Sequence, residues 1–469
     1  MTAAPVAGII WRRLIIVALL LGIWFYPVPE GLTQQAWQLF AVFAAAIIAV
    51  IINAMSILLA AILALAIVVL TGTLPANEAY AGFGDGFILL IVVAFLVGRA
   101  VVNSGLGVRI AYKLIRLFGK STLGLGYSLV ALDAMIAFAF PSNTARAGVL
   151  YPITLSLAIG SGSKVEDGTR KKLGAYLMMT SMAGLSISSA LWFTAMAANP
   201  IGAQLASTQG VEITFVSWLI NASVPCLIAL VAIPFLLYRI YPPDIKSTPE
   251  APREAEKKLA EMGPLSRDEK ITAVVCILMV IGWAVSDSVG IDKTAIAFLG
   301  LGVFMLSGIF TLKDMDRSGD ALNVLIWFAT LYTMSSSLNE LGFMSFVGFQ
   351  LGPLVEGFSW PVVYVILITA YVLIHYFFVS QTAQLLALFG VFMGLGIDAG
   401  VPPALIAMML LFATNFFMVI TPQGGSSNVI FAASGYITQG EIYKNGGLVV
   451  LMNLLIFLLI GTPWILALN

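Results

Sequence analysis

Pro141-Ser142-Asn143-Thr144-Ala145-Arg146 and a second stretch, Ser380-Gln381-Thr382-Ala383-Gln384, decide how this chain folds. Each is a cluster of small polar residues between apolar segments too short to cross a bilayer. Met135–Phe140 and Ala147–Ile159 flank the first, and Tyr376–Val379 and Leu385–Leu395 flank the second. Polar backbone at membrane depth is tolerated only where protein or a water-filled cavity covers it. Two such interruptions, at corresponding places in two halves, point to a transporter's binding site.

Composition supports a membrane setting. Of 469 residues, 60% are hydrophobic and 10% charged, with a mean hydropathy of +1.01. A soluble protein of this size cannot hide so much apolar surface, so the chain reads as an integral membrane protein. A net charge of zero gives no basic field for nucleic acid. Cys226 and Cys276 lie inside apolar runs and read as packing residues. One histidine, His375, and the lack of HExxH or CxxC patterns give no reason to expect a metal, a cofactor or an enzyme.

Hydropathy places spanning helices near 14–26, 37–52, 54–71, 87–103, 172–198 and 213–240, then near 271–287, 294–310, 321–339, 403–434 and 445–468. That is an all-α membrane fold of eleven spans plus two interrupted segments, 123–160 and 359–396, read as re-entrant helical hairpins. Arg12 and Arg13 precede the apolar run Leu14–Tyr26, but Pro27-Val28-Pro29-Glu30 is no cleavage site, so a retained first helix is expected. The absence of a transit peptide favours a bacterial plasma membrane. With the N-terminus cytoplasmic and each hairpin returning to its own side, 20 of the 23 basic residues fall inside. Only Lys293 falls outside, with Arg99 and Arg146 at membrane depth. The segment 242–270 reads as a solvated cytoplasmic linker. Gly107–Lys120, with Arg109, Lys113 and Arg116 at helical spacing, reads as an amphipathic surface helix, and Leu341–Leu351 holds the same position in the second half.

A shift of 238 residues aligns the halves. Thr73-Leu74 falls on Thr311-Leu312, Ser142-x-Thr144-Ala145 on Ser380-x-Thr382-Ala383, and Ser188-Ser189 with Phe193 on Ser426-Ser427 with Phe431. The reading is a helix outside the repeat (1–36), a first repeat (37–241) with a cytoplasmic-side hairpin, and a second repeat (271–469) with an outer-side hairpin. Five spans per repeat is odd, so the second copy is inverted and the hairpins enter from opposite faces.

The tips suit anions. Ser, Asn and Thr cap a helix start, whose N–H groups and dipole favour negative charge. Two tips fit a substrate with two carboxylates, although each also reads as a simple capped turn. Polar runs after the hairpins, Gly184–Ser189 and Thr421-Pro422-Gln423-Gly424-Gly425-Ser426-Ser427-Asn428, read as helix breaks whose freed carbonyls can bind Na⁺ or substrate hydroxyls. Equally, small residues there permit close helix packing. Arg146 at membrane depth either balances a substrate carboxylate or pairs with Asp133. His375 reads as either a packing residue or a second charge-compensating group.

Pro141–Gly148 resembles the signature of the divalent anion/Na⁺ symporter family. His375–Thr382, Trp24–Pro29 and Leu123–Leu129 are similar to its branch of plastid 2-oxoglutarate/malate translocators and bacterial citrate/succinate antiporters. The resemblance implies a homodimer in which each protomer moves a transport domain carrying both hairpins against a static scaffold, an elevator motion. It also implies that Ser142, Asn143 and Thr144 hold one carboxylate and Ser380, Gln381 and Thr382 the other. Thr421 and Pro422 are candidate substrate contacts, and Ser188, Ser189, Gly424, Ser426 and Ser427 are candidate contacts from the breaks. Gln381 is one methylene longer than the Asn of sodium-coupled members, and Arg146 adds a fixed cation. The expectation is therefore Na⁺-independent exchange of C4–C5 dicarboxylates. A Na⁺-coupled dicarboxylate or citrate symporter and an anion channel are the rivals.

Overall fold

The computed structural model describes residues 6–468, and among them the fold is entirely helical apart from one isolated bridge, Ser121 to Ser247. Ten helices among the described residues are long and apolar enough to cross a membrane, from Gln34–Ile51 to Gln439–Leu468. By length and composition the ten include arms of both interrupted segments: Thr122–Ala139, Trp360–Phe377 and Gln381–Asp398. Two expected spans near 54–71 and 294–310 form shorter apolar helices, Ile57–Leu70 and Lys293–Ser307. The first helix runs Val6–Phe25; residues 1–5 of the expected N-terminal segment lie outside the described residues.

Local geometry recurs at the 238-residue shift. The lead-in helices Thr122–Ile136 and Trp360–Ile374 each end in a 3₁₀ turn, Ala137–Ala139 and His375–Phe377. An extended residue follows, Phe140 in one copy and Phe378 in the other. Each chain then enters an 18-residue tip helix, Asn143–Gly160 and Gln381–Asp398. Ser142 and Ser380 are the N-caps, each in extended backbone, accepting from the Ala145 and Ala383 N–H groups at 3.3 Å. A serine cap satisfies one of the orphan donors of a helix start. The helices after each span pair also begin alike, at Gly105 and Gly342 with φ +78° and +81°, a conformation that glycine adopts without strain.

The first polar break is not where the serine run suggested. Gly174–Leu191 is one uninterrupted helix, and the interruption falls after it, at extended Trp192 and the 3₁₀ turn Phe193–Ala195. The hydroxyls of Ser186 and Ser188 lie within bonding distance of carbonyls one turn back, Ala183 at 2.7 Å and Gly184 at 3.2 Å. Serine accommodated this way stays helical. The second break is present: a 3₁₀ turn Phe417–Ile420, non-helical Thr421–Gly425, then the helix Ser426–Ala433.

The chain divides into two compact units, each drawing on both sequence halves. One comprises residues through Val92 with Ile201–Glu212 and Gly319–Leu410; here Phe40 stacks on Phe343 with ring centroids 4.4 Å apart. The other comprises Val93–Pro200, Ile213–Ser318 and the chain from Leu411 on. At its centre every residue from Gly174 to Leu191 is buried. Gly184 lets that helix approach the lead-in helix, because a Cβ there would sit 2.8 Å from Val130 Cγ2.

The 242–270 segment is ordered rather than a free connector. It forms the helix Glu250–Met262, which packs on Leu106–Phe118. Arg109, expected on a solvated face, is instead buried, donating to Glu269 at 2.6 Å and to the Gly263 carbonyl at 2.8 Å. Thr248 Oγ1 further donates to the Gly119 carbonyl at 2.7 Å. A helix C-terminus presents unpaired carbonyls, and the guanidinium fork is shaped to take several of them.

Candidate functional site

The first tip and both post-hairpin regions belong to the second unit. Thr144 and Ala145 are exposed, Ser142 is half-buried, and Asn143 and Arg146 are buried. One helical turn thus presents its hydroxyls outward and its larger polar groups inward. Thr144 Oγ1 donates to Ser426 Oγ at 2.5 Å, so the tip and the second break meet at their hydroxyls; Pro422 and Gln423 in the break are half-buried.

Beneath that surface five oxygens converge on Arg146. Its Nη1 donates to Asp133 Oδ2 at 3.0 Å and to Ser188 Oγ at 2.8 Å. Its Nη2 donates to Asn143 Oδ1 at 2.6 Å, to the Leu185 carbonyl at 3.4 Å and to Ser189 Oγ. The side chains of Arg146 and Asp133 are 0% and 1% exposed. Ser188 in turn donates to Asp133. Of the two partners open to Arg146 from sequence, Asp133 is the one present. Its carboxylate matches the guanidinium charge, so what Arg146 contributes locally is the filling of an oxygen cluster rather than a surplus positive charge. Ser188 and Ser189, expected as contacts from a broken helix, serve this cluster from a continuous one.

The cluster also fixes Asn143. Its Oδ1 accepts from Arg146 and from Ser189 Oγ at 2.7 Å, and the guanidinium, which can only donate, does not allow the amide to be reversed. The amide nitrogen therefore points the other way, toward Met418 Sδ at 3.3 Å.

At the second break, Asn428, the last residue of the polar run, braces the interruption. Its Nδ2 donates to the Met418 carbonyl at 2.7 Å and the Thr421 carbonyl at 2.9 Å, carbonyls that the missing helix turn releases. An asparagine seven residues beyond the start of a Thr-Pro-x-Gly-Gly break is the sequence signal for such a brace. Met418 carried no such signal. Thr421 Oγ1, Ser427 Oγ and Asn428 Oδ1 are buried without a hydrogen-bond partner among the described residues. Gly424 is buried in the turn, and Ser426 opens the following helix.

The second tip belongs to the other unit. Ser380 is half-buried, and Gln381 and Thr382 are 5% and 7% exposed, so this tip is the more covered of the two. His375, fully buried, meets Gln384 Oε1 through Nδ1 at 2.7 Å, while Gln384 Nε2 donates to the Tyr371 carbonyl at 2.7 Å. That second bond sets the amide, so Nδ1 of His375 must carry a proton. His375 ties the 3₁₀ turn to the tip helix. Among the described residues no group of three or more His, Cys, Asp or Glu side chains could hold a metal ion.

The ten helices among the described residues that are long and apolar enough to cross a membrane, with the family matched, define a multi-pass membrane transporter rather than an enzyme. The chain belongs to the family described as "Sodium:sulfate symporter transmembrane region", whose model matches residues 8–469. It is 43% identical to YflS of Bacillus subtilis, over 96% of this chain and 95% of that protein. It is 40% identical to the chloroplastic dicarboxylate transporter 1 of Spinacia oleracea, over 94% of this chain and 78% of that protein. Among solved structures, the Alcanivorax borkumensis YdaH transporter shares the fold at a TM-score of 0.55 and 15% identity, over 98% of this chain and 97% of that one.

Proposed function

We propose that this chain exchanges C4–C5 dicarboxylates such as 2-oxoglutarate, malate and succinate across a bacterial plasma membrane, independently of Na⁺. The observation that carries this reading is the Arg146 cluster. Side-chain and carbonyl oxygens beside an anion-binding helix start are what a transporter uses to bind Na⁺. Here five of them are committed to a guanidinium that cannot leave with the substrate. The spinach relative's name as a dicarboxylate transporter supports the substrate class.

In this reading the tip helices act as anion receptors, with Ser142, Asn143 and Thr144 taking one carboxylate and Ser380, Gln381 and Thr382 the other. Asn143 acts as a donor, because its carbonyl is already engaged by Arg146 and Ser189. Thr421 and Pro422 border the substrate. The interrupted segments are re-entrant, the N-terminus is cytoplasmic, and a homodimer of elevator-type protomers carries the exchange. Uncompensated helix starts disfavour movement of the empty carrier, which makes exchange obligate.

One observation favours Na⁺-coupled uptake instead: the three buried oxygens of Thr421, Ser427 and Asn428 that have no hydrogen-bond partner among the described residues. Buried polar atoms are normally satisfied, so unpartnered ones invite a ligand. Radiolabelled 2-oxoglutarate uptake into proteoliposomes, preloaded with succinate or empty and with or without Na⁺, separates the readings. Uptake only into preloaded vesicles and indifferent to Na⁺ supports exchange. Na⁺-dependent uptake into empty vesicles overturns it.

A further inference from the structure

On the outer surface of the second unit a groove of about 760 Å³ runs between the lead-in helix Thr122–Ile136 and the helix Phe215–Ile240. Leu117, Phe118, Tyr127, Met135, Leu227 and Val231 line it, and all but Tyr127 and Ser121 among its lining residues are apolar or glycine. Leu117 and Val231 are 66% and 61% exposed, so the groove is open rather than a packing defect. From Ser121 to Met135 it follows a helix rising 1.5 Å per residue, about 20 Å, which is on the scale of one bilayer leaflet.

One end of the groove is basic and the rest carries no charge. Ser121 lines that end and bridges to Ser247, and the Thr122 N–H donates to the Lys246 carbonyl at 3.1 Å. Exposed Lys120 and Lys246 therefore flank the same mouth, and exposed Arg116 precedes the lining residue Leu117. The Lys246 ammonium lies 4.5 Å from the Tyr238 ring centroid, over the helix that forms the groove's far wall. Asp244 is the one acid in the adjoining 241–247 segment, and its N–H bonds away from the groove, to the Lys171 carbonyl at 3.3 Å. Tyr127 crosses the groove and donates to the Val231 carbonyl at 3.0 Å, dividing its apolar floor from its polar end.

We infer that this groove is a binding site for one anionic phospholipid, an acyl chain lying along Ala131 and Val231 and the phosphate headgroup held by Lys120, Lys246 and Arg116. Apolar lining with a basic rim at the interface is the chemistry that selects an anionic lipid over a zwitterionic one, because each lysine or arginine near the surface favours the anion. The inference is independent of the transported substrate.

The test uses the full chain in mild detergent, with native mass spectrometry after adding phosphatidylglycerol or phosphatidylcholine of identical acyl chains. The wild type retains phosphatidylglycerol preferentially. K120Q/K246Q, both exposed and safe for folding, lowers that preference by about fivefold per cation removed. Ala131→Trp fills the groove and loses retention of both lipids at unchanged oligomer mass. Equal retention of the two lipids by the wild type, or an unaltered preference in K120Q/K246Q, overturns the inference. A change of oligomer mass in Ala131→Trp assigns the groove to a protein seam and likewise overturns it.

Discussion

Arg146 holds Asn143 from one helical turn away, its Nη2 2.6 Å from the Asn143 Oδ1, in a site neither side chain shares with bulk water. The same guanidinium is bonded to Asp133 on the other side of the chain's sharpest polar interruption. The tip is therefore braced through its own first turn, and the orientation of the Asn143 amide, nitrogen toward Met418, is set by a charge lying beneath the tip.

Breaking that pair is expensive. Arg146→Ala leaves the Asp133 carboxylate buried without its cation, a situation that costs about 3–5 kcal/mol. Asp133→Asn strands the guanidinium at a similar cost. The combined Asp133→Asn/Arg146→Ala protein is expected to be less destabilised than the sum of its parts, since the two groups are in contact. Thermal unfolding of the four proteins in one detergent measures the coupling, and purely additive losses would show that the pair is not one unit.

Asn143 tests the tip's chemistry more directly. If its amide nitrogen donates to a carboxylate, Asn143→Ala removes a hydrogen bond to a charged group, worth about 1.5–3 kcal/mol. The expected result is a rise in KM of roughly ten- to a hundred-fold for dicarboxylate in counterflow. Asn143→Asp keeps the shape but offers oxygen to oxygen, so it should lose exchange altogether. An Asn143→Asp protein as active as wild type would remove Asn143 from the site.

Much of this arrangement was legible because polar residues are costly in an apolar setting. The two tips stand out in sequence, and the 238-residue shift locates matching caps at Ser142 and Ser380. The first helix break was misplaced because a serine can either interrupt a helix or fold its hydroxyl back on it, and sequence does not distinguish the two. Ser186 does the latter, and Ser188 stays helical while its hydroxyl donates to Asp133. Arg109 misled for a related reason. Its spacing marks a basic face, but its buried partner Glu269 lies 160 residues away. Composition in the linker hides the helix Glu250–Met262 in the same way, since a charged surface helix and a solvated coil use the same residues.

Asn428 braces the second break, and its loss should be felt there first. In Asn428→Ala the Met418 carbonyl loses its side-chain donor, and the Thr421 carbonyl keeps only the Gly424 N–H at 3.2 Å. An unsatisfied buried acceptor costs about 1–3 kcal/mol. Asn428→Asp, almost the same size, also lacks the donors and is expected to be destabilised as well. Thermal unfolding of both variants checks the assignment. Wild-type stability in Asn428→Asp would mean that packing, not donation, is what the side chain supplies.

The unpartnered hydroxyls of the same break decide between exchange and Na⁺-coupled uptake. Thr421→Val keeps the shape of the side chain and removes Oγ1, and Ser427→Ala removes the neighbouring buried hydroxyl. Neither atom has a hydrogen-bond partner among the described residues, so folding should be little affected and transport reports on the ligand alone. For a Na⁺-independent exchanger, the concentration of Na⁺ has no effect on counterflow in the wild type or in Ser427→Ala. If Na⁺ binds there, wild-type uptake rises with Na⁺ and each variant shifts the half-saturating Na⁺ concentration upward by about tenfold or more, the loss of a ligand bond worth at least 1.4 kcal/mol. Such a shift would return the second break to cation binding and leave Arg146 as the replacement for a single Na⁺ rather than for Na⁺ coupling as a whole.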